Sequence, residues 1–253
     1  MELPETSDKQ TNTLLHLYKF HYLNTNQVQK LFHHKDPQTV QVWLKDLREK
    51  GFIEYRDFDR KKFIANTKPA IYFLTKIARR KLKSFPKCEI QVLNRVYQEK
   101  GVSDKFVDKH IFIADIFLHM SDQMEKGEKL HFSTQANLKR FEYFPKPMPD
   151  AYIAIKGSKK TKRHFLFLID GNIPWYKLDR RIKEYLAYTY DNKWSTFTND
   201  PLPSFLFICP SRRTKKHLQR LISNELPDTS FYLSSKSEIE RSGFKGDAWQ
   251  KVE

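Results

Sequence analysis

Between Thr13 and Leu23 apolar residues fall at helical spacing, as Leu14, Leu15, Leu17 and Tyr18. The stretch NTNQVQKLF then starts a second helix, with Asn24 or Thr25 in the N-cap position. Asp36-Pro37 opens a third helix, in which Val40, Trp43, Leu44 and Leu47 share one face until Gly51 stops it. Past Gly51, FIEYRDF alternates as a strand, DRKK supplies a charged turn and AIYFLT returns as a second strand. Thr75 then opens the basic helix KIARRKLKS. Three helices followed by a hairpin predict a winged helix-turn-helix over residues 10–85.

SFPKCEIQ, around Pro86, breaks the helical pattern, and residues 86–108 read as a linker. HIFIADIFLHMSDQMEKG follows as a largely buried helix ended by Gly127. LHFSTQANL, DAYIAI and HFLFLID read as strands, the last apolar enough for the middle of a sheet, with KGSKKTKR as a basic loop between the latter two. Leu178, Ile182, Tyr185 and Leu186 give a helix face, SFLFIC a buried strand, RRTKKHLQRLISNE a basic amphipathic helix and TSFYLS a last strand. The order α-β-β-β-α-β-α-β over residues 109–253 predicts an α/β (α+β) domain around a central mixed sheet.

Charge narrows the partners. Forty-six Lys and Arg against 30 Asp and Glu leave a formal net charge of +16 on 253 residues, which suits a polyanion, nucleic acid ahead of an anionic membrane surface. No apolar run approaches the roughly 20 residues of a membrane-spanning helix, and MELPETSDKQ is too acidic for a signal peptide, so a cytoplasmic protein is expected. The two cysteines form no CxxC, and the nine histidines show no ligand spacing. With seven glycines and no GxGxxG, GxxxxGK[ST] or GxSxG, nucleotide-loop and serine-hydrolase chemistry drop out.

Double-stranded DNA is the expected partner. The polar face of the third helix carries Gln38, Thr39, Gln41, Lys45 and Arg48, of which the amides and hydroxyl can read base edges while the cations meet phosphates. Arg60, Lys61 and Lys62 at the hairpin tip would grip the backbone beside it. In the second half, Lys159 and Lys160 on the basic loop and Arg212, Arg213, Lys215 and Lys216 on the basic helix are candidates for a second DNA segment.

The element order, with one acid in PMPDAYIAI and another ending FLFLID, resembles the PD-(D/E)xK restriction-nuclease fold. The resemblance places Asp150 and Asp170 at its two acidic positions and implies carboxylates converging on Mg²⁺, which would lower the pKa of a bound water beside a scissile phosphate. Asn172 stands where that fold carries its lysine, a neutral amide for a cation. Lys183, or Arg180 or Arg181, from the next helix could substitute in space. The plainer reading makes Asp150 a turn acid after Pro149 and Asp170 a strand-end cap. No cofactor is expected, with Mg²⁺ entering only if the nuclease reading holds.

LLHLYKFHYLNTNQVQKLF, VWLKDLREKGFIEY, YFLTKIARRKL, PDAYIAI and FLIDGNIPWYKLDRRIKEYLAY together are similar to the replication-relaxation family of plasmids and other mobile elements. Tyr72, Leu74 and Thr75 match its strand-to-helix junction, and Asp150 and Asp170 its acidic strand ends. Leu168 departs from the pattern where an acid would precede Ile169-Asp170. The resemblance implies a DNA-binding factor in replication, relaxation or transfer of a mobile element, with a homodimer and replication or transfer proteins as further partners. Two alternatives stay open: a Mg²⁺-dependent endonuclease or nickase using Asp150 and Asp170, and a winged-helix transcriptional repressor.

Overall fold

Ser7 and Gln10 set the first helix. Each side chain accepts the other's backbone N–H, a reciprocal cap that starts α1 (Asp8–Phe20) five residues ahead of its first apolar repeat. This is a computed structural model, and it describes residues 3–56, 69–94, 101–158, 160–225, 229–244 and 246–253. The chain divides into two compact units, Met1–Leu118 and His119–Glu253.

In the first unit α1 is followed by β1 (Leu23–Asn24), α2 (Thr25–Leu31), α3 (Pro37–Glu49), β2 (Ile53–Arg56), β3 (Ile71–Leu74) and α4 (Lys76–Leu82). Asn24 and Gln27 form a second reciprocal cap at α2, and Asp36 caps α3 ahead of Pro37. The strands lie antiparallel in the order β1-β3-β2. Leu14, Leu17, Val28, Val40, Leu44, Leu47, Phe52 and Leu74 are buried at the centre, on the faces their spacing predicts.

Gly51 has φ of 73°, and a Cβ there would come 2.9 Å from Ile77 Cδ1. Gly51→Ala is therefore expected to destabilise the first unit by about 1 kcal/mol or more, read as a lower midpoint in urea unfolding.

Next come α5 (Ile90–Leu93) and α6 (Asp104–Asp122). The first unit reaches past the expected linker because the start of α6 completes it. Val107 and Ile111 pack on Tyr22, Ile71 and Phe73. Gln27 Nε2 donates to Ile111 O at 2.8 Å and Asp115 Oδ1 at 2.7 Å, and Arg56 donates to Val102 O and Asp104 Oδ1, both at 2.8 Å. The division between units accordingly falls inside α6, which ends at Asp122 rather than at Gly127.

The second unit continues with β4 (Lys129–Thr134), α7 (Gln135–Leu138), β5 (Ala151–Lys156), β6 (Thr161–Leu168), α8 (Trp175–Thr189), α9 (Lys193–Thr198), β7 (Ser204–Cys209), α10 (Arg212–Ser223), β8 (Phe231–Ser235), α11 (Lys236–Ser242) and β9 (Gln250–Lys251). Among the described residues these strands form one mixed six-stranded sheet in the order β4-β5-β6-β7-β8-β9. Only β6 with β7 and β7 with β8 run parallel. LHFSTQANL is a strand only to Thr134, after which Gln135–Leu138 turn into a helix.

The middle strands are apolar on both faces because both are covered. On one face Phe165, Phe167, Phe205, Phe207 and Phe231 form the centre of the core, with Phe205 and Phe231 stacked at 4.8 Å. Leu178, Ile182 and Tyr185 of α8 and Leu218 and Ile222 of α10 close over that face, so the two helices lie side by side. Burial raises the Cys88 and Cys209 thiols to about 11 and about 12, which suits inert core groups. Among the described residues no helix is long and apolar enough to cross a membrane.

Each unit holds a half-buried histidine. Burial lowers His110 to about 4, with His21 beside it and Lys109 adding to the effect, and lowers His164 to about 4, with Lys162 adding. Both values lie below the 6.5 of an unfolded chain, so the unfolded state binds more protons between pH 4 and 6.5. The stability held in these neutral imidazoles is complete above pH 6.5 and drains as the pH falls toward 4. Urea midpoints measured at pH 7 and pH 5 are expected to be lower at pH 5.

Candidate nucleic-acid interface

The exposed face of α3 is built by its own buried face. With Val40, Leu44 and Leu47 turned into the core, Gln38, Gln41, Val42, Lys45 and Arg48 are left outward. Thr25 and Asn26 at the start of α2, Ala70 just before β3 and Tyr72 on it join them around an open groove of about 830 Å³. Arg48 lies over the Tyr55 ring at 4.9 Å, which steadies its guanidinium. Lys45 sits 3.9 Å from Glu49 with both side chains in solvent, a contact that leaves it able to turn to a phosphate. Val42 is 63% exposed, an apolar group among amides and cations.

Thr39 is placed differently from the expectation. It lies about 100° round the helix from Gln38. Its hydroxyl donates to Asp36 Oδ2 at 2.6 Å, and that bond together with the Gln38 and Thr39 N–H groups holds the Asp36 carboxyl below its ordinary range. Thr39 thus serves the cap, and Val42 takes its place on the outward face. Arg60, Lys61, Lys62 and Lys159 lie outside the described residues. Thr25 and Asn26 escaped the sequence reading because their place at the groove comes from the packing of α2 against α3, and Val42 because an apolar side chain carries no polar group to mark it.

The two acids of the second unit part company. Asp150 is 1% exposed, and its Oδ2 accepts the Leu168 N–H at 2.7 Å, where β6 runs on past the start of β5. Its backbone also bridges neighbours, donating to Leu166 O and accepting from Gln135 N–H. Asp170 is exposed beyond the end of β6 and folds its Oδ1 onto the Asn172 N–H at 2.7 Å. Asp150 thus accepts a backbone N–H at the strand end and Asp170 closes a turn, the reverse of the roles expected of them.

Tyr185 of α8 is buried and feels the charge of Asp150. Burial pushes its phenol above its ordinary value, Arg181 opposes that and Asp150 adds to it. Arg181 Nε donates to Tyr185 Oη at 2.7 Å. Lys183 is exposed, roughly 120° round α8 from Leu178, Ile182 and Tyr185, and so does not face Asp150. Arg180 is exposed and paired with Glu184 at 3.0 Å. Protein-bound Mg²⁺ needs converging carboxylate oxygens open to substrate phosphates. Asp150 is closed to solvent and Asp170 is bent onto its own turn, and no three metal-ligating side chains gather among the described residues.

No protein-family model and no curated protein matches the chain. Among solved structures it is similar to the restriction endonuclease FokI bound to DNA, at 16% identity and a TM-score of 0.32 over 93% of this chain and 44% of that one. It is also similar to a second structure of FokI, at 15% identity and a TM-score of 0.31 over 95% and 45%. The chain spans less than half the length of either.

The cations of the second half are not equivalent. Lys215 is largely buried, with its ammonium 3.0 Å from both oxygens of Glu238, which also accepts the Ser235 N–H. It ties α10 to α11 and is not available to a phosphate. Arg212, Arg213 and Lys216 are exposed, as is Lys160, whose carbonyl closes the β5–β6 turn on Gly157 N–H.

Proposed function

We propose that the first unit is a winged helix that binds duplex DNA with α3 in the major groove, and that the second unit, of restriction-endonuclease-like architecture, serves binding rather than cleavage. The observation that carries this reading is the outward face of α3, where Gln38, Gln41, Lys45 and Arg48 line one groove around the apolar Val42. Amides can pair bidentately with adenine, an exposed valine suits a thymine methyl and the flanking cations suit phosphates, so this face can both read and hold a duplex. The order α2, α3, β2, β3 and the antiparallel pairing of β2 with β3 support the winged-helix reading.

The absence of a cleavage role is supported by the burial of Asp150, whose Oδ2 accepts the Leu168 N–H. A place in the replication, relaxation or transfer of a mobile element is supported by the sequence resemblance.

Selection of bound sequences from a random duplex library tests the reading. Enrichment of one site, weakened by Gln41→Ala, is the expected result. Recovery of no preferred sequence would refute it. Two half-sites about 34–36 Å apart would mark a symmetric dimer.

A further inference from the structure

We propose that the outer face of α8 and α10 binds single-stranded nucleic acid, stacking unpaired bases on Trp175 and Tyr176 and following the backbone with cations of both helices. The surface lies in the second unit and goes beyond the duplex-binding reading of α3.

Two large rings are left out of the core here. Trp175 is 40% exposed and Tyr176 is 69% exposed, neighbours in the first turn of α8. The indole is held in place: its ring lies 4.5 Å from that of His217, and His217 Nε2 is fixed by Asp179 Oδ1 at 2.6 Å. The Arg213 guanidinium stands 5.6 Å from the Trp175 ring, and the Lys177 ammonium 5.9 Å from the Tyr176 ring. The turns that lead into the two helices touch, since a Cβ on Gly171 would come 3.3 Å from Pro210 Cβ. Rings and cations therefore share one continuous surface.

Basic side chains outnumber acidic ones on the two helices. Arg212–Ser223 contains Arg212, Arg213, Lys215, Lys216 and Arg220 and no acid, and of these Lys215 alone is tied to Glu238. On α8, Tyr176, Arg180 and Lys183 follow one another along the exposed stripe. The α8 acids are engaged within the surface, Asp179 by His217 and Glu184 by Arg180.

A polyanion answers this charge, and the rings decide which. In a duplex the base faces are covered by their neighbours, so a phosphate-binding surface for duplex has no use for two exposed rings. A single strand offers both open π-faces and phosphates, and base stacking on aromatic rings beside cations is how such strands are held without sequence preference. DNA and RNA share this chemistry.

The test is fluorescence anisotropy with labelled thymidine and uridine oligonucleotides of about 12 residues and a blunt duplex of the same length. The full chain is expected to bind the single strands. Tyr176→Ala, whose ring has few contacts to lose, should weaken them about tenfold, and adding Trp175→Ala about tenfold again. Trp175→Phe should restore most of that loss. Gln41→Ala with Lys45→Ala should leave single-strand binding unchanged, which separates this surface from the α3 groove. Preference for the thymidine or the uridine oligonucleotide assigns the sugar. Absence of single-strand binding would overturn the proposal. So would ring variants with no effect while Arg213→Ala and Lys216→Ala weaken single strand and duplex alike, the mark of a merely cationic or protein-facing surface.

Discussion

Lys45→Glu combined with Arg48→Glu is expected to lower affinity for a selected duplex by on the order of 100-fold or more, because two attractive phosphate contacts become two repulsive ones. Both side chains are exposed on the outward face of α3, and neither supports the core, so circular dichroism and urea midpoints should stay near those of the parent. The neutral pair Lys45→Ala and Arg48→Ala should flatten the slope of log K against log salt by about two. Gln41→Ala should behave in the opposite way. It should cost about 1–3 kcal/mol on the preferred site, relax specificity there and leave the salt slope alone. Parent-like affinity of the charge-reversed protein for every duplex tried would remove α3 as the docking element.

Asp150→Ala is expected to destabilise the second unit by about 2–3 kcal/mol, since it removes the Oδ2 acceptor of the Leu168 N–H and leaves a gap where a buried carboxyl stood. Asp150→Asn keeps an acceptor oxygen at the same place and should recover part of the loss. Asp170→Ala, at the surface in its own turn, should change the urea midpoint little. The contrast separates two roles for this pair. A strand-end cap predicts unequal effects on stability and no metal-dependent change in supercoiled plasmid for the parent. A nuclease predicts nicking or linearisation with Mg²⁺ or Mn²⁺ that both alanine variants abolish while the fold survives. Cleavage lost equally in both variants at unchanged stability would sink the structural role.

The helix starts were open to sequence reading where the signal is local. Asp36-Pro37, Asn24 with Gln27, and Thr75 each cap the helix their neighbours predict, because a cap is satisfied within four residues. The start of α1 was missed because Ser7 and Gln10 precede any apolar repeat, although their spacing is itself a capping signal. On α3 the outward set came out nearly complete, since burying one helical face leaves the other to solvent. Thr39 was the exception, as a hydroxyl three residues after Asp36 can turn back to the cap.

The acids were harder. An Asp after Pro and an Asp after an apolar strand look alike on paper as metal ligands, strand caps or turn formers. Which oxygen meets which N–H depends on where β5 begins and how far β6 runs on beside β7. Lys215 likewise belongs by sequence to a basic helix, and only the return of Glu238, 23 residues later, takes it out of the binding surface.

By itself the sequence determined the alternation of elements, the basic charge and the polar face of α3, because periodicity, capping and composition act over a few residues. Only the tertiary structure decided that α6 completes the first unit, that Asp150 ends buried on a backbone amide and that Trp175 and Tyr176 stand in solvent among cations. Those outcomes depend on which distant surfaces meet, and the free energy of burying a side chain or pairing a charge is set by the partner opposite it rather than by its neighbours along the chain.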